Sequence, residues 1–300
     1  MKLDNQAYTS SFDLSVFGLG YESRSTTAYV KYKNLSERNI VFGYNSNKTV
    51  LNYSKNKKVF QDAEILEMEC AQISDYLVPV VDKLNNDFEE PKILIDITAM
   101  TRHRLAVVLF YFMSNLKKKS KVTICYNSSK YVAPPSDLQP VRKVGALIPQ
   151  LSGNLGDLSS TTAVIFGLGY EKLKALGVYN YLDPDLPYAF IPKSENPKFE
   201  FDVRENNKSL LNSLPSKNVY TYNVYSPLDL YIDLKSLTLS LRESSRVVIV
   251  PLGPKIISAI AVIISMEMNL EIPIWRVSSL HSEEPIDRVA DREVLQTISL

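Results

Sequence analysis

The sequence is poor in the residues that build metal centres and disulfide frameworks. Its 300 residues include only two cysteines and two histidines. Cys70 and Cys125 are far apart in the chain, so neither a disulfide framework nor a zinc-binding spacing is present. This scarcity predicts a cytoplasmic protein, since disulfide-rich chains belong to oxidising compartments. It also predicts that the protein has no metal site.

Long apolar runs and an excess of one charge are absent as well. The longest apolar stretch, 256–266, is shorter than the roughly 20 residues that span a bilayer. The polar N-terminus does not resemble a signal peptide. Lys and Arg total 34 and Asp and Glu total 33, so the net charge is +1. We therefore expect no membrane association and no strong attraction to nucleic acid.

The most informative feature of the sequence is an internal repeat. The segment Phe-Gly-Leu-Gly-Tyr-Glu at 17–22 recurs without change at 166–171. Weaker matches follow in the same order, for example between 93–98 and 248–253. Self-similarity at a fixed period indicates a duplicated structural unit. The sequence therefore predicts two related halves.

Each half alternates short, β-branched apolar runs with helix-like segments. This alternation is typical of parallel α/β sheets with right-handed crossovers. We predict two tandem Rossmann-like domains, each a five-stranded, mostly parallel sheet of order 3-2-1-4-5 with helices on both faces. The predicted strands lie near 14–18, 39–44, 63–68, 92–97 and 121–126, then near 162–167, 187–192, 218–223, 246–251 and 271–277. The predicted helices lie near 23–34, 70–86, 99–116, 170–181, 227–242 and 254–268.

Domain boundaries follow from composition between the halves. The stretch before the second copy is rich in proline, glycine and serine, which is typical of a linker. The predicted division is a first half over 1–140, a linker over 141–160 and a second half over 161–300.

Ligands of open parallel sheets bind at the carboxyl ends of strands 1 and 4. In the first half the repeated segment follows strand 1. Gly18 and Gly20 permit a tight turn, and the helix start after them favours a phosphate, with Arg24 as a further contact. Tyr21 and Glu22 complete the candidate site, Glu22 as a ribose ligand, a helix cap or a base. The alternative is a plain strand-to-helix turn that needs glycine.

The segment after strand 4 of the first half carries the second group of candidates. Asp96 is predicted at the carboxyl edge of the sheet, and Thr98 is predicted as a helix N-cap. Arg102 is either a ligand contact or a solvated residue, and Arg104 is expected on the solvated face. His103 is expected to be structural or exposed. Asp96 and Glu22 are the candidate catalytic acid and base.

The second half repeats this arrangement with different residues. Gly253 lies in a proline-flanked loop after its strand 4, and Lys255 is either a phosphate contact or a surface lysine. The candidate ligand-binding residues around its first turn are Gly167, Gly169, Tyr170 and Glu171.

Several common cofactor-binding patterns are missing. The turn lacks the third glycine of the dinucleotide fingerprint, and the end of strand 2 reads Gly43-Tyr44-Asn45 without an acidic residue. An S-adenosylmethionine-dependent methyltransferase usually has that carboxylate for the ribose as well. No P-loop, serine-hydrolase elbow or metal-binding motif occurs. The sequence therefore predicts no cofactor.

The layout resembles CARF and related Rossmann-like sensor domains of prokaryotic immunity. The resemblance covers both halves, but the segment from Asp96 to Arg102 and that from Pro251 to Lys255 do not match the Gly-Thr-Lys pattern of that family. Lys255 is the nearest equivalent. The resemblance implies a fused pseudo-dimer that binds a nucleotide second messenger between its domains.

Three functional interpretations follow. The leading one is a nucleotide-binding sensor or accessory subunit that acts with a protein partner, in antiviral defence. The first alternative is a nucleotide hydrolase that cleaves a phosphodiester or N-glycosidic bond with Asp96 and Glu22. The second alternative is a structural subunit with relic crevices.

Overall fold

The computed structural model describes residues 1–5, 10–46, 48–134, 141–154, 159–279 and 284–300. The strands are β1 (Lys2–Leu3), β2 (Phe12–Gly18), β3 (Ser36–Gly43), β4 (Glu64–Glu67), β5 (Lys92–Asp96), β6 (Lys121–Ser129), β7 (Val141–Ala146), β8 (Thr161–Gly167), β9 (Leu186–Lys193), β10 (Val219–Asn223), β11 (Ser245–Pro251), β12 (Trp275–Ser279) and β13 (Ala290–Ser299). The α-helices are α1 (Thr27–Tyr32), α2 (Tyr53–Val59), α3 (Cys70–Asp87), α4 (Arg102–Asn115), α5 (Lys174–Leu182), α6 (Pro197–Asn206), α7 (Lys208–Ser213), α8 (Pro227–Arg242) and α9 (Lys255–Glu267). The predicted α/β class with mostly parallel strands is confirmed.

The chain forms two compact units, but their boundaries differ from the predicted ones. The first unit contains residues 1–130 together with 284–300, and the second contains 131–283. The predicted second half, 161–300, is therefore wrong at its end. The reason is strand pairing: β13 pairs antiparallel with β6 and so belongs to the first sheet.

The first unit is built on a seven-stranded sheet of order β1-β13-β6-β5-β2-β3-β4. The strands β4, β3, β2, β5 and β6 are mutually parallel, and β13 runs antiparallel to β6. The prediction of five strands is thus too low for this unit. The chain continues from β2 to β3, its neighbour on one side, whereas β5 is its neighbour on the other side. The strand order therefore reverses between β2 and β5, which form the switch point of the sheet.

Apolar runs explain why these segments become central strands. Val16, Phe17 and the run 93–95 are fully buried, as expected for parallel strands covered on both faces. Helix α3 buries Ile73 and Leu77 on one face, at the spacing of a helical turn. The sheet core therefore fixes the carboxyl ends of β2 and β5, where the candidate residues lie.

The second unit has a smaller sheet than predicted. Four parallel strands follow the order β10-β9-β8-β11, and β12 pairs antiparallel with β7 in a separate two-stranded sheet. Among the described residues, a single bridge between Ile249 and Ile274 joins the predicted fifth strand to the main sheet. The predicted linker 141–160 is also wrong, because it contains β7, whose Val144 packs against the core of this unit.

The repeated segment begins no long helix in either unit. Residues Ser23–Thr26 form a 3-10 turn that precedes the six-residue α1. In the second unit α5 begins only after Leu173, which has a left-handed backbone with φ of 59°. The structure also contains α2, α6 and α7, which sequence periodicity did not predict.

Candidate functional site

The glycines of the first repeat are required by close packing against the chain itself. Gly18 ends β2, and a Cβ atom on it would lie 3.2 Å from the backbone of Ala99. A Cβ atom on Gly20 would lie 3.1 Å from the Ala99 Cβ. The amide of Leu19 donates to the carbonyl of Phe42 at 3.0 Å. The turn after β2 thus rests on the loop after β5, as expected for neighbouring strand ends.

The second repeat is built in the same way. Leu168 donates its amide proton to the carbonyl of Phe190 at 2.9 Å, as Leu19 does in the first unit. A Cβ atom on Gly167 would lie 2.6 Å from Ile257, and one on Gly169 would lie 2.7 Å from the carbonyl oxygen of Leu252. Equivalent contacts in both units support the duplication.

A buried asparagine holds the turn in each unit, and sequence reasoning missed both. The Asn56 Nδ2 donates to the carbonyls of Gly20 and Glu22, both at 2.9 Å. The Asn207 Nδ2 donates to the carbonyl of Gly169 at 2.7 Å. The available signal was positional, because the separation of Asn56 and Asn207 is within two residues of the separation between the two copies of the repeat.

Arg24 does not offer its charge to a phosphate. Its side chain is buried, its Nε donates to Glu22 Oε2 at 2.6 Å, and its Nη1 donates to the carbonyl of Asn127 at 2.9 Å. The guanidinium also lies 5.9 Å from the centre of the Tyr126 ring. The predicted phosphate contact is therefore wrong, because neighbouring groups already satisfy this cation.

The predicted phosphate position is occupied by the chain's own carboxylate. Asp287 accepts hydrogen bonds from the Ser23 amide at 2.6 Å and the Ser23 hydroxyl at 2.5 Å. The Arg24 amide donates to the carbonyl of Arg288 at 3.1 Å, and Arg288 Nη1 donates to Glu22 Oε1 at 3.1 Å. Desolvation would raise the pKa of Asp287, but the hydrogen bonds outweigh it and lower that pKa.

Asp96 lies at the end of β5 but is fully buried. Its Oδ1 accepts hydrogen bonds from the amide of Thr98, at 3.0 Å, and from the Thr98 hydroxyl. Thr98 Oγ1 in turn accepts from the Asn127 amide at 2.8 Å. Burial, followed by the charge of Asp96, raises the pKa of the Cys125 thiol. Asp96 is therefore a fully buried carboxyl group at the carboxyl end of β5, paired across the sheet with Cys125.

Thr98 and Arg104 differ from their predicted roles. Helix α4 is capped by Thr101, whose hydroxyl accepts from the Arg104 amide at 3.2 Å, so Thr98 is not the N-cap. Arg104 is 1% exposed rather than solvated. Its guanidinium donates to the carbonyl of Gly43 at 2.8 Å and lies 3.7 Å from the Tyr44 ring centre.

The remaining first-unit candidates lie around this edge. Tyr21 is half-buried in the turn. Arg102 begins α4 and is half-buried, and so is His103 beside it. The Thr101 amide donates to the Tyr44 hydroxyl at 2.8 Å, which connects the loop after β3 to the start of α4.

In the second unit the equivalent edge is closed by backbone packing. A Cβ atom on Gly253 would lie 2.4 Å from the carbonyl oxygen of Leu168. The Tyr170 ring packs edge-on against the Phe199 ring, with 5.8 Å between the ring centres. The Glu171 carboxylate lies 3.9 Å from the Lys174 ammonium. Half-buried Lys255 begins α9.

In the part of the chain that the structure describes, no group of three or more His, Cys, Asp or Glu residues is arranged to hold a metal ion. No helix among these described residues is long and apolar enough to cross a membrane.

No protein-family model matches the chain. No curated protein matches it either. Several solved structures resemble parts of it. One is fibrillarin from Methanococcus jannaschii, with 12% identity over 42% of this chain and 50% of that one and a TM-score of 0.25. Another is a precorrin-6y C5,15-methyltransferase from Geobacter metallireducens, with 16% identity over 38% of this chain and 54% of that one and a TM-score of 0.22. A further one is phosphoethanolamine N-methyltransferase 1 from Haemonchus contortus, with 8% identity over 82% of this chain and 70% of that one and a TM-score of 0.26. The chain spans about half the length of the first two.

These comparisons correct the predicted function. The solved structures named above are a pre-rRNA processing protein and two methyltransferases, and none is a CARF domain. The prediction of a nucleotide sensor or accessory subunit in antiviral defence is therefore wrong, as are its alternatives of a nucleotide hydrolase and a structural subunit.

Proposed function

We propose that the first unit binds S-adenosylmethionine at the carboxyl edge of β2 and β5 and transfers its methyl group. Methyl transfer is the reaction that two of the similar structures are named for. The support drawn from this chain is independent of that likeness. It consists of the sheet order, which makes β2 and β5 the switch point, and of the groups found there.

The observation that carries the proposal is the pair of hydrogen-bond donors on Ser23. The Ser23 amide and hydroxyl both donate to one carboxylate, that of Asp287, at 2.6 and 2.5 Å. Two adjacent donors match the two oxygens of a carboxylate. The methionine part of the donor carries such a carboxylate. A phosphate would require more donors or a cation, and Arg24 is already bound to Glu22.

Asp96 is the acidic group that we assign to a cationic donor. It is buried at the end of β5, whereas Glu22 is already paired with Arg24 and Arg288. Opposite charges attract more strongly where water is excluded, so an ionised Asp96 favours a sulfonium cation at this edge. When bound, the donor supplies an electrophilic methyl group on sulfur.

The missing acidic residue after β3 argued against this donor, but the fold supplies one from the next strand. Asn45 follows β3, and its Nδ2 donates to Glu69 Oε1 at 3.3 Å. Glu69 follows β4 and caps α3. An exposed carboxylate beside an amide at the ends of these strands fits a pair of ribose hydroxyls.

The second unit does not share this site in our proposal. Val16 pairs with Ile95 in the first sheet, and its counterpart Ile165 pairs with Ile249 in the second. Val250 therefore takes the place of Asp96, and the buried carboxylate is missing. Gly253 packs directly on the backbone of Leu168, which closes the edge. We infer that the duplicated units share ancestry and that donor binding is confined to the first.

The test is calorimetric titration of the whole chain with S-adenosylhomocysteine, with ATP as the comparison ligand. We expect S-adenosylhomocysteine to bind and Glu69→Gln to weaken it about tenfold, the effect of losing one charged hydrogen bond. Glu37→Gln is the matched control, since Glu37 is an exposed acid at the opposite end of β3. Tighter binding of ATP, or equal losses in both variants, would contradict the proposal.

A further inference from the structure

The segment 286–289 crosses the turn of the proposed donor site. It precedes β13 and contains no helix or strand. Asp287 binds the amide and hydroxyl of Ser23, and the Arg288 carbonyl accepts from the Arg24 amide. The Arg288 guanidinium donates to Glu22 at 3.1 Å. One short segment thus covers both the donors and the carboxylate of the turn.

Polar contacts hold this segment, with little apolar burial. Ile286, Asp287 and Arg288 are half-buried, and Val289 is 51% exposed. Charge-assisted hydrogen bonds are strong, but each can be replaced by an equivalent bond to water or ligand. Segments with few buried apolar contacts open locally at a small fraction of the global unfolding free energy. This segment can therefore leave the turn while the sheet stays folded.

We propose that residues 286–289 form an autoinhibitory strap that closes the donor site in the ligand-free protein and is displaced when the donor binds. The inference rests on the proposed function, because it assigns the Ser23 donors to a ligand carboxylate. Asp287 is the competing group. It offers the same two oxygens to the same two donors, so strap and ligand cannot occupy the turn together.

A closed strap should weaken the measured affinity for the donor by a predictable factor. If only a fraction of molecules has an open turn, the apparent dissociation constant equals the intrinsic one divided by that fraction. Weakening the strap should therefore tighten binding. We expect Asp287→Asn to lower the dissociation constant for S-adenosylhomocysteine about fivefold to tenfold, since the amide loses the charge of the anchor but keeps its shape.

The first experiment is titration of the wild-type chain and Asp287→Asn with S-adenosylhomocysteine. Tighter binding by the variant supports the strap, and equal or weaker binding overturns it. The melting temperature of each protein shows whether the variant is folded. Arg288→Gln provides a second variant that loosens the other anchor, and it should shift affinity in the same direction.

The second experiment needs no ligand and keeps the strap testable if the donor proposal fails. The amide protons of Ser23 and Arg24 should exchange with solvent faster than those of β2. Asp287→Asn should accelerate the exchange at Ser23 and Arg24 and leave that of β2 unchanged. If these amides exchange as slowly as the centre of β2 in the wild-type chain, the segment does not open separately and the strap is refuted. Absence of ligand binding with rapid opening would instead refute the donor proposal alone.

Discussion

The prediction with the clearest physical basis concerns Asn56, the side chain that holds the first turn. Asn56 is 4% exposed, and its Nδ2 bridges the carbonyls of Gly20 and Glu22 at 2.9 Å each. Alanine removes both hydrogen bonds and leaves a small void. A net loss of about 1 kcal/mol per bond, plus about 1 kcal/mol for a carbonyl left without a partner, gives a destabilisation of about 3 kcal/mol.

Thermal unfolding measures this loss. In a unit of this size 1 kcal/mol shifts the melting temperature by about 2–4 °C, so Asn56→Ala should lower the melting of the first unit by about 6–12 °C. The matched control is Asn115→Ala, because the exposed side chain of Asn115 donates to the carbonyl of Tyr111 in its own helix. We expect the control to stay within about 0.5 kcal/mol of wild type. A shift in Asn56→Ala no larger than that of the control would refute the reasoning.

Three further variants follow from the same contacts. Gly253→Ala should lower the free energy of unfolding by more than about 2 kcal/mol, because its Cβ atom would lie 2.4 Å from a backbone oxygen. The control is Gly145→Ala, whose Cβ atom meets nothing within 4 Å and should leave stability unchanged. Chemical denaturation compares the two variants. Arg104→Met leaves carbonyls that the guanidinium now satisfies, and we expect a loss of about 3 kcal/mol by the same assay. Hydrogen bonds from two lysines and a tyrosine outweigh desolvation and lower the pKa of Glu67 to about 2. The contribution of ionised Glu67 to the free energy of unfolding is therefore complete above the unfolded pKa of about 4.5 and is lost as the pH falls towards 2. Glu67→Gln should reduce the dependence of the unfolding free energy on pH over this range.

Much of the architecture follows from local pattern. The apolar, β-branched runs near 14–18 and 92–97 become β2 and β5 with small shifts at their ends. Two buried faces require such runs, so the sequence itself identifies central strands. The repeat likewise locates two equivalent turns, because glycine is needed where a turn approaches a neighbouring loop too closely for a Cβ atom.

Pairing between distant segments was not predictable in this way. The run that becomes β13 has the composition of any strand, and only its partner β6 assigns it to the first unit. Arg104 looks like a surface residue in sequence, because a buried guanidinium bound to main-chain carbonyls leaves no pattern of its own. Asp287 was missed for the same reason. Its contact with Ser23 joins residues far apart in the chain.

The division of the first unit has a consequence for biosynthesis. Residues 131–283 are inserted between two neighbouring strands of one sheet, and the chain leaves and returns where the Lys130 amide donates to the carbonyl of Val289 at 3.0 Å. A ribosome therefore releases β6 long before it releases β13. Until then β6 has an open edge that can pair with other chains. The whole second unit is synthesised before the first unit receives its last strand, β13.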